Sequence, residues 1–112
     1  MTTCERGGIA LVRFVFADEQ GAKLRPVLIL SGEAYHAGRG EVIVAAITSN
    51  VSRLLPGDLR INGWESAGLP KPSVVTGILR TIRHAMIERT IGQLAARDLR
   101  AYEDRLRQVL GL

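Results

Sequence analysis

The chain has 112 residues, of which 46% are hydrophobic and 23% are charged, with one cysteine and a formal net charge of +4. This length and composition suit one domain with its own apolar core and exclude a disordered chain. A single cysteine excludes an internal disulfide framework. The longest apolar run, residues 42–47, is too short to span a bilayer, so we expect a soluble, cytoplasmic protein. The positive charge is compatible with a polyanionic partner but does not specify one.

Two strands and two loops are predicted in the first third of the chain. Residues 9–16 are rich in β-branched and aromatic residues and predict the first strand. Residues 17–24 are polar and contain glycine, which predicts a loop. Pro26 has no N–H group, so we place it at the opening of a second strand over residues 27–31. Three glycines within residues 31–40 predict another loop.

The middle of the chain contains its most strand-like segment. Residues 41–48 form a nearly continuous apolar run, which indicates a central strand that is buried on both faces. Residues 49–72 are interrupted repeatedly by proline and glycine and predict a surface loop, with residues 58–61 as its one short strand.

The last third of the chain changes from strand to helix. Residues 73–76 and 78–82 flank Gly77 and predict two short strands joined by a glycine kink or bulge. After Gly92 the apolar residues recur at helical spacing, which predicts a C-terminal amphipathic helix of about four turns. The predicted apolar face of this helix consists of Leu99, Tyr102, Leu106, Val109 and Leu110. Five or six short strands followed by one helix predict a small, bent β-barrel.

The segment Arg25-Pro-Val-Leu-Ile-Leu-Ser31 resembles the second strand of the MazF/PemK toxin family, which begins with the same Arg-Pro pair. Further segments are similar to the family in the same order along the chain: residues 9–16, 42–50, 64–73 and 91–94. The resemblance covers nearly the whole chain. It implies one toxin domain over residues 1–112, mainly β with a C-terminal helix, folded as an SH3-like barrel of the CcdB/PemK type.

The resemblance also implies a function. Members of the family are toxins of type II toxin–antitoxin systems, and they cleave single-stranded RNA at specific sequences as homodimers, which inhibits translation and growth. The expected reaction uses the ribose 2′-hydroxyl as nucleophile, needs no metal or cofactor, and leaves a 2′,3′-cyclic phosphate and a 5′-hydroxyl. An acidic antitoxin is expected to occupy the RNA groove. The chain departs from the family pattern at Gly8, at His36 and at residues 76–78, which bears on its cleavage specificity.

Arginine suits this reaction because its guanidinium stays charged and can bind two phosphate oxygens at once. Arg25 coincides with the family's catalytic arginine, and Thr48, at the end of the central strand, coincides with its threonine. Of the loop carboxylates Asp18 and Glu19, Glu19 is the candidate general base. No spacing of His, Asp or Glu in the sequence suits a metal site. The candidate RNA-binding residues are Lys23, His36, Ser49, Asn50, Arg53 and Ser73.

Two other functions are compatible with the same residues. The fold also supports toxins similar to CcdB, which bind gyrase and do not cut RNA. A small nucleic-acid-binding module with an SH3-like barrel is the second alternative. RNA cleavage by the purified protein in the presence of a chelator would separate a nuclease from a gyrase-binding toxin. A neighbouring open reading frame for an acidic, partly disordered protein would argue against the binding module.

Overall fold

A computed structural model describes residues 5–15 and 22–112, and for residues 14, 15 and 22 it describes the backbone alone. The strands are β1 (Gly8–Val15), β2 (Ala22–Ile29), β3 (Glu41–Thr48), β4 (Leu59–Arg60), β5 (Val74–Arg83) and β6 (Ile87–Gln93). The helices are α1 (Glu33–Arg39) and α2 (Ala96–Leu110). The strands form one antiparallel sheet in the order β4-β5-β3-β2-β1-β6. Within the described ranges no helix is both long and apolar enough to cross a membrane.

The predictions for β1, β3 and the short β4 are confirmed. β3 lies in the interior of the sheet, between β2 and β5. Its residues Val42 and Val44 belong to one core cluster, and Ala45 and Ile47 belong to another. Because successive side chains of a strand point to opposite faces, β3 is buried on both of them. The apolar run in the sequence therefore reflects burial from two sides.

The prediction that Pro26 opens the second strand is wrong, because β2 begins at Ala22. Pro26 lies within β2, opposite Leu11 of β1. The pairing of β2 with β3 begins only at Val27, so one side of β2 has no paired strand at Pro26. A residue without an N–H group is tolerated in such a position.

The prediction of a loop over residues 31–40 is also wrong, because α1 lies there. Two of the three glycines in this segment are at the ends of the helix. Gly32 is the N-cap, and Gly40 has the left-handed φ of 65° and donates its N–H to the carbonyl of His36 at 2.8 Å. Glycine is favoured at this C-terminal position because it lacks a Cβ. These two glycines mark the bounds of a short helix, and Gly38 lies inside it without interrupting it.

The two strands predicted on either side of Gly77 are one strand, β5, with an irregularity opposite β3. The predicted bulge is confirmed and the division into two strands is wrong. β6 was not predicted, because it is an edge strand with one buried residue, Ile87, and no regular alternation of apolar residues. Pairing with β1 makes it a strand, and the sequence does not show that pairing.

The C-terminal helix is confirmed, and three of its five predicted apolar residues pack on the core. Tyr102 is fully buried, and Leu99 and Leu106 pack against the same cluster. Val109 and Leu110 are 46% and 51% exposed, so their predicted burial is wrong. The last turn of α2 extends past the cluster on which the earlier turns pack.

The loop between β4 and β5 packs on the backbone of β6. A Cβ atom on Gly92 would lie 1.9 Å from the carbonyl oxygen of Ala67, and one on Gly68 would lie 2.1 Å from that of Ile91. These distances are far below a van der Waals contact, so both positions require glycine. The two glycines let the loop and the strand approach closely.

Candidate active site

The sheet brings Arg25 and Thr48 together where β2 and β3 meet. The pairing of β2 with β3 ends at Val27 and Ala46, and Arg25 and Thr48 lie two residues beyond that pair on their strands. Both residues line an open pocket of about 320 Å³, which we name the strand pocket. Its lining residues are Arg25, Pro26, Val27, Ala46, Ile47, Thr48, Ile78 and Arg80. The two residues predicted to be catalytic are thus neighbours in one pocket.

A second arginine, Arg80, also lines the strand pocket and is not among the predicted site residues. Arg80 lies on β5 opposite Val44 of β3, and its side chain is exposed, as is that of Arg25. Along β5, Ile78 and Arg80 share one face, while Leu79 packs against the core. This alternation is visible in the sequence, but only the strand order shows that the face meets Arg25.

The hydroxyl of Thr48 is held at the end of β3. Its Oγ1 accepts a hydrogen bond from the N–H of Asn50 at 3.1 Å. The Oδ1 of Asn50 accepts in turn from the N–H and the hydroxyl of Ser52, at 3.2 and 2.6 Å. A hydroxyl that accepts from the backbone still has its own hydrogen to donate. The turn therefore orients Thr48 and leaves it able to donate to a phosphate oxygen.

A second cavity, of about 420 Å³, adjoins the strand pocket, and we name it the loop cavity. It is lined by Ala46, Thr48, Asn50, Arg53, Leu55, Pro56, Asp58, Thr76, Gly77 and Ile78. Ala46, Thr48 and Ile78 line both spaces, so they form a shared rim. The predicted RNA-binding residues Asn50 and Arg53 lie here, and the structure brings them next to Thr48.

The loop cavity lies beside the bulge in β5. Between the pairs Ala45–Leu79 and Ile47–Val75, residues 76–78 of β5 oppose the single residue Ala46. A bulge of this kind removes backbone groups from the ladder, and they need other partners.

Side chains supply those partners. The hydroxyl of Thr76 donates to the carbonyl of Ala46 at 2.8 Å, and the N–H of Gly77 donates to Oδ1 of Asp58 at 3.0 Å. Oδ2 of the same carboxylate accepts from the N–H of Leu55 at 2.9 Å. Asp58 is not among the predicted site residues, because nothing in the sequence shows that it reaches the bulge. One of the departures from the family pattern, residues 76–78, falls at this cavity.

Helix α2 holds the walls of the loop cavity from behind. The hydroxyl of Tyr102 donates to the carbonyl of Thr76 at 2.6 Å, and the guanidinium of Arg105 donates to the carbonyl of Asp58 at 2.7 Å. Burial, and then the negative charge of Asp58, raise the pKa of Tyr102 well above its usual range. The hydroxyl of Tyr102 therefore stays protonated and remains a donor.

Two other predicted RNA contacts lie beside the strand pocket. Lys23 is exposed on β2, two positions before Arg25 and on the same face of the strand. Ser49 is exposed and directly follows Thr48. Glu19 falls outside the described residues, so its role as general base stays a prediction.

His36 and Ser73 are not brought into either space. Nε2 of His36 lies 2.6 Å from Oγ of Ser31, which accepts from the N–H of Ile43 at 2.8 Å. Ile43 is five residues before Thr48 along β3, a separation of roughly 16 Å. Ser73 is buried and lines a separate cavity of about 300 Å³. An RNA contact by either residue stays a prediction.

The sequence pattern of the PemK-like, MazF-like toxins of type II toxin–antitoxin systems matches residues 5–110. The chain belongs to this family. The toxin is 35% identical over 100 residues to Endoribonuclease MazF6 of Mycobacterium tuberculosis, and the match covers 86% of each protein. Its structure is similar to that of the M. tuberculosis toxin MazF-mt6, with a TM-score of 0.76 and 31% identity over 94% of this chain and 97% of the other.

A mycobacterial endoribonuclease solved in complex with its cognate antitoxin has the same fold, with a TM-score of 0.77, 19% identity and coverage of 98% of this chain and 97% of that one. The expectation of a CcdB/PemK-type β fold with a C-terminal helix is confirmed. Among residues 5–15 and 22–112, no three His, Cys, Asp or Glu side chains are grouped so that they could hold a metal ion.

Proposed function

We propose that this endoribonuclease toxin cuts single-stranded RNA at a specific sequence, in the strand pocket and without a divalent metal. The observation that carries the proposal is the convergence of Arg25, Arg80 and Thr48 on that pocket. Two guanidinium groups and a hydroxyl match a phosphodiester, which offers charged oxygens in the same small volume. A toxin that only binds gyrase would not need this group of side chains.

The reaction follows from what these groups can supply. The ribose 2′-hydroxyl attacks the adjacent phosphorus, the bond from phosphorus to the 5′-oxygen breaks, and a 2′,3′-cyclic phosphate and a 5′-hydroxyl result. Negative charge builds up on the phosphorane in the transition state, and Arg25 and Arg80 stabilise it there. Thr48 donates to a phosphate oxygen and fixes the position of the phosphorus.

Two protons must move during this step. The attacking 2′-hydroxyl loses one, and the departing 5′-oxygen gains one. We assign the first transfer to Glu19, the carboxylate on the segment that precedes Arg25, and the second to an acid or to water. Lys23, Ser49, Asn50 and Arg53 are assigned to binding the RNA on either side of the scissile phosphate.

The proposed partners follow from the family and from the surface of the pocket. We propose a homodimer that acts on RNA in the cytoplasm, and an acidic antitoxin that covers the strand pocket. The arginines attract carboxylates as well as phosphates, and the exposed apolar side chain of Ile78, which lines the strand pocket, suits an apolar antitoxin residue. RNA and antitoxin that bind together without affecting each other's affinity would contradict a shared site.

The decisive experiment is digestion of a long RNA by the purified toxin in EDTA, with analysis of the new ends. We expect cleavage at a recurring sequence, a 2′,3′-cyclic phosphate on one fragment and a 5′-hydroxyl on the other. Activity that disappears on chelation and returns with a divalent metal, or a 5′-phosphate product, would contradict the proposed chemistry. The sites mapped in this way would also give the recognised sequence.

A further inference from the structure

The loop cavity is placed to receive the nucleotide next to the scissile phosphate. It shares the rim formed by Ala46, Thr48 and Ile78 with the strand pocket, so a phosphate at Thr48 puts the neighbouring nucleotide over its mouth. Its volume of about 420 Å³ lies within the roughly 300–1,000 Å³ of small-molecule sites. The next nucleotide of a bound strand therefore has a space of suitable size beside the site of cleavage.

The lining of the loop cavity fits a base better than a phosphate, because it holds the carboxylate of Asp58 as well as the guanidinium of Arg53. Asp58 is only 8% exposed, and the two backbone N–H groups that hold its carboxylate come from Leu55 and Gly77, which also line the cavity. A fixed negative charge repels a phosphate. Leu55 and Ile78 are 53% and 59% exposed and offer apolar surface to the flat face of a base. A base with hydrogen-bond donors meets both requirements.

We propose that the loop cavity binds guanine and that Asp58 reads it, an inference that rests on the proposed ribonuclease function. A carboxylate has about four acceptor sites, and two of those on Asp58 are used by backbone N–H groups. The remaining sites accept from N1–H and the N2 amino group of guanine, which are adjacent donors. Arg53, on the same cavity, donates to O6 or N7.

The other bases present a poorer pattern to a fixed carboxylate. Uracil has carbonyl oxygens on both sides of its N3–H, and these are repelled. Adenine and cytosine each place an acceptor nitrogen beside their amino group on this edge. Guanine alone presents two neighbouring donors on its Watson–Crick edge. The bonds from Leu55 and Gly77 keep the carboxylate in one orientation, so it cannot turn to suit the others.

The first test compares RNA affinities for the unmodified toxin. The probes are short uridine oligonucleotides with 2′-fluoro sugars, which cannot be cleaved, carrying one central guanosine, inosine, adenosine or uridine. Inosine lacks only the N2 amino group. We expect the guanosine probe to bind about tenfold more tightly than the others. Equal affinities would overturn the proposal. Because cleavage is not measured here, this failure is distinct from an absence of cleavage in EDTA, which would contradict the proposed function.

The second test changes the protein. Asp58→Asn replaces one acceptor oxygen with a donor, so we expect the preference for guanosine over inosine to fall to within about twofold. Asp98→Asn is the matched control, because Asp98 is also buried and accepts from two backbone N–H groups, those of Asn62 and Gly63. That variant should keep the preference. A guanosine preference that survives in Asp58→Asn would overturn the assignment to Asp58. If this variant does not fold, the probe comparison with the unmodified toxin still decides.

Discussion

Asp58 and Asp98 are both buried, and the carboxylate of each accepts hydrogen bonds from two backbone N–H groups. They differ in the region of the molecule that these hydrogen bonds hold together. Asp98, in the first turn of α2, binds the N–H groups of Asn62 and Gly63 and fastens the loop after β4 to the helix. Asp58 binds Leu55 and Gly77 and fastens the walls of the loop cavity. The local chemistry is the same in both places.

The difference between the two regions is the space beside each carboxylate. Asp98 faces a closed contact, where a Cβ on Gly63 would lie 3.3 Å from its Oδ2. Asp58 borders an open cavity that shares Thr48 with the strand pocket. A buried carboxylate that binds backbone N–H groups has a structural role in both regions. Only the one that borders a cavity is also a candidate for binding a ligand. Substitutions in each region should separate activity from stability.

The largest expected effect is the loss of activity in Arg25→Ala. We expect the cleavage rate to fall by about a hundredfold or more, because the guanidinium acts on charge that develops in the transition state. The melting temperature should stay close to that of the unmodified toxin, since Arg25 is exposed. The control is Arg13→Ala, which removes an exposed arginine of β1 that pairs with Glu88 at 3.2 Å. Normal cleavage by a folded Arg25→Ala protein would refute the assignment.

The second prediction concerns the loop between β4 and β5, which Asp98 binds through Asn62 and Gly63. Gly92→Ala should lower the free energy of unfolding by about 2 kcal/mol or more, because the new Cβ would lie 1.9 Å from the carbonyl oxygen of Ala67. Gly38→Ala is the control: apart from the adjacent residues and the backbone of its own helix, no atom lies within 4 Å of its Cβ position, and alanine favours the helix. Urea denaturation measures both. A Gly92→Ala protein as stable as the unmodified toxin would show that loop and strand separate easily.

The smallest expected effect concerns Tyr102, which links α2 to the loop cavity. Tyr102→Phe leaves the carbonyl of Thr76 without its donor, so we expect a loss of about 1 to 2 kcal/mol of stability near neutral pH. Unfolding in urea measures this loss. A variant as stable as the unmodified toxin would mean that Thr76 does not depend on the hydroxyl.

The same substitution should change the response to alkali. The folded state raises the pKa of Tyr102, so its contribution to stability is complete below the unfolded value of about 10 and is lost as pH rises above it. The unfolding free energy of the unmodified toxin should therefore fall more steeply above that pH than that of Tyr102→Phe. Tyr35→Phe, at a half-buried position on α1, should keep the steep fall. Parallel curves for all three proteins would contradict the role of burial at Tyr102.

The elements predicted correctly are those whose burial is reflected in the pattern of apolar residues in their own sequence. β3 is buried on both faces and has an unbroken apolar run, and α2 packs one face on the core and has apolar residues at helical spacing. β6 has no such pattern, because it is an edge strand and only its residue Ile87 is buried. α1 has no buried residue, so its sequence shows no helical periodicity of apolar residues that would predict it.

The residues of the candidate site also fall into two groups, those that the sequence could predict and those that it could not. Arg25 and Thr48 could be proposed because they stand in segments that resemble the family, at the positions of its arginine and its threonine. Arg80 could not, because its importance comes from the order β5-β3-β2, which brings β5 to within one strand of β2. Asp58 could not either, because it lies in a turn far from the bulge along the chain and meets Gly77 only in the folded protein.

The sequence by itself therefore determined the central strand, the last helix, and a resemblance specific enough to name the family and to propose two residues of the candidate site. These follow from local periodicity and from the identity of residues in short segments. Only the tertiary structure decided which side chains share the strand pocket with Arg25, where the bulge opens a second cavity, and which carboxylate borders it. Such contacts join residues distant in the chain, and a hydrogen bond between Asp58 and Gly77 depends on strand order and register, which no single segment encodes.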